Sequence, residues 1–150
     1  MRALLQRVSQ ASVSIRGATH ATIGPGLMIL LGIEQADDQN DISWLVHKIC
    51  KMRIFSDESG KMNDSLLDQN GEALVVSQFT LHANTRKGNR PSFIRAATPD
   101  HSKPLYEAFC AEMEKTMGKA IGRGLFGEDM QVALVNDGPV TVWIDSKNRE

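Results

Sequence analysis

Apolar and polar residues alternate in places over residues 2–16, "RALLQRVSQASVSIR". That pattern predicts two short strands, or one bent strand, interrupted near Ser9-Gln10. Residues 19–23 predict a return strand that stops at the turn Gly24-Pro25-Gly26. From Leu27 to Ile33 the run is almost wholly apolar, as in a central strand covered on both faces. The period then changes. Asp37-Asp38-Gln39-Asn40-Asp41 offers N-caps and acids for the positive end of a helix dipole, and Ile42, Leu45, Val46, Ile49 and Cys50 recur at helical spacing as far as about Met52. "SDESGKMND" reads as a loop, and Leu74 to Thr80 as another buried strand. Residues 82–99 have no period and are rich in breakers. A second helix is expected with Asp100 as cap, Pro104 in its first turn, and Leu105, Phe109, Met113 and Met117 at four-residue steps, with Gly118 ending it. Two β-branched strands close the chain, Met130 to Val135 and Val140 to Ile144, separated by Gly138-Pro139.

Strands, helix, strand, helix and strands in that order define an α/β domain in which strands outnumber helices. With no repeat, low-complexity segment or linker, residues 1–150 are expected to form a single domain. A chain of this length buries roughly two thirds of its unfolded surface. Its net charge of -1 provides no bulk basicity, so any nucleic-acid contact has to be local. Arg7 interrupts what would be the apolar part of a leader, and the run Leu27 to Leu31 is far short of the ~20 residues that cross a bilayer. Neither a signal peptide nor a membrane span is expected. Cys50 and Cys110 lack metal-ligand spacing and read as buried free thiols, which fits a reducing, cytoplasmic location.

Several stretches are candidates for chemistry. "GRGLFG", Gly122 to Gly127, has dinucleotide-loop spacing but follows a helix and leads into a strand, the reverse of the order such a loop needs. His20, His47, His82 and His101 share no ligand spacing, so no metal site is expected. Ser77-Gln78-Phe79-Thr80 places hydroxyls and an amide where an apolar strand ends. This is either a strand fraying into loop or the place where α/β proteins put their sites. Arg86, Lys87, Arg90 and Arg95 crowd one irregular segment, either as solvated loop charges or as phosphate contacts. Two readings also stand for "NDGPVT", residues 136–141. One is a β-hairpin turn centred on Asp137-Gly138. The other is a cis Gly-Pro, the only kind of cis bond that is cheap, whose two carbonyls turn to one side and accept an ammonium.

"VVSQFTL" (Val75 to Leu81) together with "NDGPVT" resembles the D-aminoacyl-tRNA deacylase family. "LLQRVSQASV", "GLMILLGIE", "KMRIFSDESGKMN", "RKGNRPSF" and "FGEDMQV" stand in the family's order, so the resemblance covers essentially the whole chain. It implies a homodimeric α/β fold with two β layers and a helical layer. It also implies that a cis Gly138-Pro139 enters the partner's active site as a chirality filter. The reaction implied is hydrolysis of the ester joining a D-amino acid, or mischarged glycine, to tRNA. An L side chain would strike the Gly-Pro wall, and overpacking a rigid wall is costly.

By the same resemblance Ser77, Gln78, Phe79 and Thr80 form the catalytic tract. Arg7 holds the Gly-Pro backbone, and Phe126 and Met130 lie near the adenosine pocket. The partner implied is tRNA, with Arg86, Lys87 and Arg90 as phosphate contacts, and no metal or organic cofactor is implied. Thr80 is the natural nucleophile by residue type, but no histidine base is fixed beside it. The family favours activation of water by the ribose 2′-OH, with N–H groups near Phe79 and Thr80 stabilising the oxyanion. Two departures from the family stand out: Glu128-Asp129 after "FG", which either weakens RNA affinity or faces solvent, and His82 as a residue of the pocket rim. The rivals are a binding module without turnover and a relative that proofreads L-alanine through a trans Gly-Pro.

Overall fold

Residues 2–15 form one long strand, and its interruption is a bulge. The computed structural model describes residues 1–149. Strand β1 (Arg2–Ile15) pairs antiparallel with β8 (Gln131–Asp145) along one edge. Along the other edge it pairs first with β3 (Gly26–Gly32) and then with β2 (Ala18–Ile23). Its register against β8 slips on either side of Val8. Because side chains alternate along a strand, an extra residue exchanges its faces. Ala3 and Leu5 accordingly join the core beneath the helices, while Val8, Ala11 and Val13 join a second core on the far side.

That second core explains the two β layers. Val8, Ala11, Val13, Ile23, Met28, Leu74 and Val76 are all buried, and all come from strands. No helix covers them. The sheet curls until β2 lies near β6 (Glu72–Ser77) and β7 (Gly122–Arg123), so strands pack on strands. β3 runs parallel to β6 and β6 parallel to β7, which makes the sheet mixed. Every residue of β3 is buried or nearly so, as its continuous apolar run requires.

Helices α1 (Gln39–Lys51) and α2 (Pro99–Met117) cover the other face. Asp38 caps α1 by accepting from the Asn40 N–H at 2.8 Å and the Asp41 N–H at 3.3 Å, while the Asp41 side chain accepts from the Asp38 N–H at 2.9 Å. This reciprocal capping box satisfies donors that the helix leaves free. In α2 the cap is Thr98 rather than Asp100, because Pro99 occupies the first helical position, where a missing N–H and a fixed φ cost least. Pro104 lies beyond the first turn. The buried stripe adds Tyr106 and Cys110 to Phe109 and Met113, since a strict four-residue step drifts around a helix of 3.6 residues per turn. Gly118 ends the helix in a left-handed conformation. Both cysteines are free and buried, and burial raises Cys50 to about 11 and Cys110 to about 12.

Two further expectations, and one of the two readings of residues 136–141, needed correction. The "SDESGKMND" loop contains a small hairpin of β4 (Phe55–Ser56) and β5 (Met62–Asp64), with Asp57 accepting from Ser59 and Lys61 across the turn. β6 ends at Ser77, not Thr80, because its neighbour β3 stops at Gly32. Phe79–His82 then form a 3₁₀ turn that folds over Gly32. A Cβ there would lie 3.0 Å from Leu81 and 3.1 Å from the Gln78 carbonyl. Gly138-Pro139 is no hairpin turn: residues 131–145 are one strand whose two halves both pair with β1.

Asp41 joins the C-terminal end of β8 to α1. Burial alone would raise its pKa, but bonds from the Lys147 ammonium, the Ser146 hydroxyl and the backbone hold it at about 2. An aspartate is near 3.9 when unfolded, so this contribution is complete above that value. It is lost as pH falls through about 2, a change on the order of 2 kcal/mol. Urea unfolding between pH 5 and pH 2 should show that loss, and Asp41→Asn should remove this part of it. An Asp41→Asn variant with the wild-type acid profile would refute the assignment.

Candidate active site

A cavity of about 630 Å³ opens where β3 and β6 end. Leu31 and Val76 lie at its base, and Ser77, Gln78 and Phe79 bring the end of β6 into its wall. The 3₁₀ turn leaves Phe79 57% exposed, its ring edge-on to Phe93 with ring centroids 5.1 Å apart. Phe126 and Met130 line the opposite side. Their placement depends on Tyr106, whose buried hydroxyl lies 3.0 Å from the Val75 carbonyl and 2.9 Å from that of Gly124. It also depends on Gly124, where a Cβ would collide with the Met130 sulfur at 2.8 Å. Gly122, paired in β7 with Leu74 of β6, and Gly124 thus serve close packing, whereas Gly127 has open space around it and a left-handed φ of +82°.

The cavity is mostly apolar, and Thr80, next to the Phe79 of its wall, is not among the residues that line it. Thr80 is exposed, and its hydroxyl accepts a hydrogen bond from the Gln78 side-chain amide. An amide is no base. His82, expected at the rim, lies fully buried under the turn, and neither ring nitrogen has a hydrogen-bond partner among the described residues. Burial lowers its pKa, with the Gly32 backbone acting in the opposite sense. Glu128 and Asp129 do border the cavity, and Glu128 pairs with Arg16 at 3.2 Å. No cluster of three His, Cys, Asp or Glu fit to hold a metal occurs among the described residues.

Gly138 and Pro139 stand elsewhere. Between Asn136 and Thr141 the chain advances five residues while β1 advances only two, from Val8 to Gln6, so residues 137–140 bow out of the sheet. The Gly138-Pro139 bond is cis, and both residues are exposed. Asn136 braces the bow by donating to the Val140 carbonyl at 3.3 Å and accepting from its N–H at 2.8 Å. Arg7, with a side chain only 11% exposed, donates from Nε to the Asp137 carbonyl at 2.9 Å and from Nη1 to that of Ile54 at 2.7 Å. Its bond to the bow is therefore to the residue just before Gly138 rather than to the Gly-Pro backbone itself. Neither Gly138, Pro139 nor Arg7 borders the cavity of its own chain.

Arg86, Lys87 and Arg90 are exposed on the irregular segment, which an Asn84–Ser92 bridge pins at its base. They do not line the cavity either, whereas Phe93 does. Neither Phe93 nor Asn136 was singled out as a site residue in the sequence. Phe93 sits in a tract with no period to mark it, and only its place at the end of "RKGNRPSF" hinted at a role.

Residues 4–145 match the family model described as D-Tyr-tRNA(Tyr) deacylase. A D-aminoacyl-tRNA deacylase from Bacteroides thetaiotaomicron is 59% identical over 150 residues, covering the whole of both chains. One from Chromobacterium violaceum is 57% identical over the same span, again with full coverage of both. Among solved structures, a c-Myc DNA unwinding element binding protein superposes with a TM-score of 0.93 at 41% identity, covering 97% of this chain and 98% of that one. A probable eukaryotic D-amino acid tRNA deacylase superposes at 0.84 with 18% identity, covering 95% and 97% of the two chains, and shows the shared fold. By sequence over its full length the chain belongs to the D-aminoacyl-tRNA deacylase family, hydrolases of the ester between a D-amino acid and tRNA.

Proposed function

We propose that this chain hydrolyses D-aminoacyl-tRNA, and glycine mischarged on tRNA, as a homodimer in which each Gly138-Pro139 bow enters the partner's cavity. One observation carries this reading. The bow is exposed and braced on both sides by Arg7 and Asn136, yet it borders no part of its own chain's cavity. A rigid projection without a local target fits insertion into a second subunit. Val132 and Val135, exposed on the same strand, supply apolar surface for that contact.

In the cavity Phe79, Phe93, Phe126 and Met130 supply apolar faces for the terminal adenosine. The partner's Gly138 and Pro139 carbonyls accept the α-ammonium. A D side chain then leaves toward solvent, and an L side chain meets the Gly-Pro backbone. Selectivity comes from exclusion. The bonds of the 3₁₀ turn begin with the Leu81 N–H donating to the Gln78 carbonyl, so the N–H groups of Phe79 and Thr80 precede them and serve the oxyanion. Thr80 has an amide neighbour and no base, which supports attack by water activated through the ribose 2′-OH. Arg86, Lys87 and Arg90 hold phosphates outside the cavity.

The test is parallel incubation with D-Tyr-tRNA and L-Tyr-tRNA, following ester loss. The D ester should disappear and the L ester survive. Equal loss of both would remove the chirality filter, and loss of neither would leave a binding module.

A further inference from the structure

A second hollow, of about 960 Å³, lies between α1 and the C-terminal end of β8 and has no role in the reaction above. Two tryptophans, Trp44 and Trp143, form part of its lining, and five cations do too: Arg2, Lys48, Arg95, Lys147 and Arg149. Asp145 is its one acid among the described residues. Four of the cations have structural partners: Arg2 bonds Asp145, Lys147 bonds Asp41, Arg95 bonds Glu34, and Arg149 donates from Nε to the Ser146 carbonyl at 3.0 Å. Lys48 and Arg149 form no ion pair among the described residues. Both stand over the Trp44 ring, at 5.8 Å and 4.5 Å from its centre. Arg2 lies 5.5 Å from the centre of Trp143, which is 48% exposed.

The hollow adjoins the active cavity. Arg95 borders it, and the next residues, Ala96 and Ala97, border the catalytic cavity. Arg2 also donates to the Leu81 carbonyl at 2.9 Å, in the turn that presents Phe79. Excess positive charge around exposed aromatic faces suits a single-stranded polynucleotide, whose phosphates take the charge and whose bases stack. An acidic protein segment would use the charge but leave the tryptophan faces without a planar partner.

We propose that this hollow binds the single-stranded 3′ strand of tRNA just outside the ester cavity, with Lys48 and Arg149 as phosphate contacts and the Trp143 face as a stacking platform. The proposal rests on the tRNA reading above and assigns it a second, separate contact surface. Lys48 and Arg149 are exposed, so replacing them leaves the core untouched.

The experiment measures binding of uncharged tRNA to wild type, Lys48→Ala and Arg149→Ala across a salt series. It also measures hydrolysis of D-Tyr-tRNA and of the minimal ester D-tyrosyl-adenosine. Each substitution should lower the slope of log K against log salt by ~0.7 and weaken tRNA binding about fourfold near 0.15 M salt. Turnover of D-Tyr-tRNA at low concentration should fall by the same factor, with D-tyrosyl-adenosine unaffected. Wild-type affinity and slope in both variants would overturn the proposal. So would an equal loss on the adenosine ester, which marks a structural role. The binding arm needs no turnover. A wild type that hydrolyses neither ester, with slopes that still respond, therefore refutes the deacylase reading and leaves the groove in place.

Discussion

Gly138→Ala is expected to reduce kcat/KM for D-aminoacyl-tRNA by about 100-fold or more, with stability close to wild type. Gly138 has φ +142°, in a region that side chains rarely adopt. A Cβ there would lie 2.8 Å from a Val140 methyl, 2.9 Å from the Val140 nitrogen and 3.1 Å from an Arg7 guanidinium nitrogen. None of the three yields easily, because Asn136 fixes Val140 and Arg7 is bound to two carbonyls. Backbone strain of about 1–3 kcal/mol is therefore relieved by moving the bow itself. The bow is exposed, so the cores hardly respond. The partner's pocket that the bow is proposed to enter should respond strongly, since about 2.7 kcal/mol of lost transition-state stabilisation is 100-fold in rate. Mixing Gly138→Ala with a variant damaged in the Ser77 to Thr80 tract should restore partial activity, because a heterodimer regains one complete site. No recovery on mixing, after exchange of subunits has been demonstrated, would count against a site built across two chains.

Removing the terminal 2′-hydroxyl of the substrate should cost about 10²–10⁴ in rate, the usual range for a group that handles a proton in the transition state. Thr80→Ala should cost less than tenfold. The contrast follows from the neighbourhood of Thr80. Its hydroxyl takes a bond from the Gln78 amide, and the histidine two residues on is buried beneath the turn. A hydroxyl without a base is a weak nucleophile. Single-turnover hydrolysis of D-Tyr-tRNA ending in adenosine or 2′-deoxyadenosine, by both proteins, separates the roles. An inactive Thr80→Ala together with full activity on the deoxy substrate would make Thr80 the nucleophile after all.

Periodicity revealed most of the fold and little of the site. The apolar run of β3 and the helical spacing from Ile42 to Cys50 mark buried faces directly, because burial is what creates the pattern. The end of β6 was hidden for the opposite reason. Val75 to Thr80 stays strand-like in composition, and what stops the strand is the bare backbone of Gly32 in a neighbour far along the chain. The Gly138-Pro139 bow was ambiguous locally, since a hairpin and a bulged strand share the same residues. Only pairing with β1 on both flanks distinguishes them. Asn136 and Tyr106 likewise act through carbonyls that no sequence pattern announces.

The face exchange in β1 bears on how this chain can change over time. Leu5 and Ala11 serve different cores only because the spacing between them includes the slipped residue near Ser9-Gln10. Substitutions at Ser9 and Gln10, both exposed, should drift freely. Deleting either residue would restore strict alternation and still leave Ala11 and Val13 on the side of Val8, whereas inserting a residue with the slip kept would turn them toward the core beneath the helices. Descendants of this sequence should therefore vary in composition along this stretch and lose a residue from it more readily than gain one.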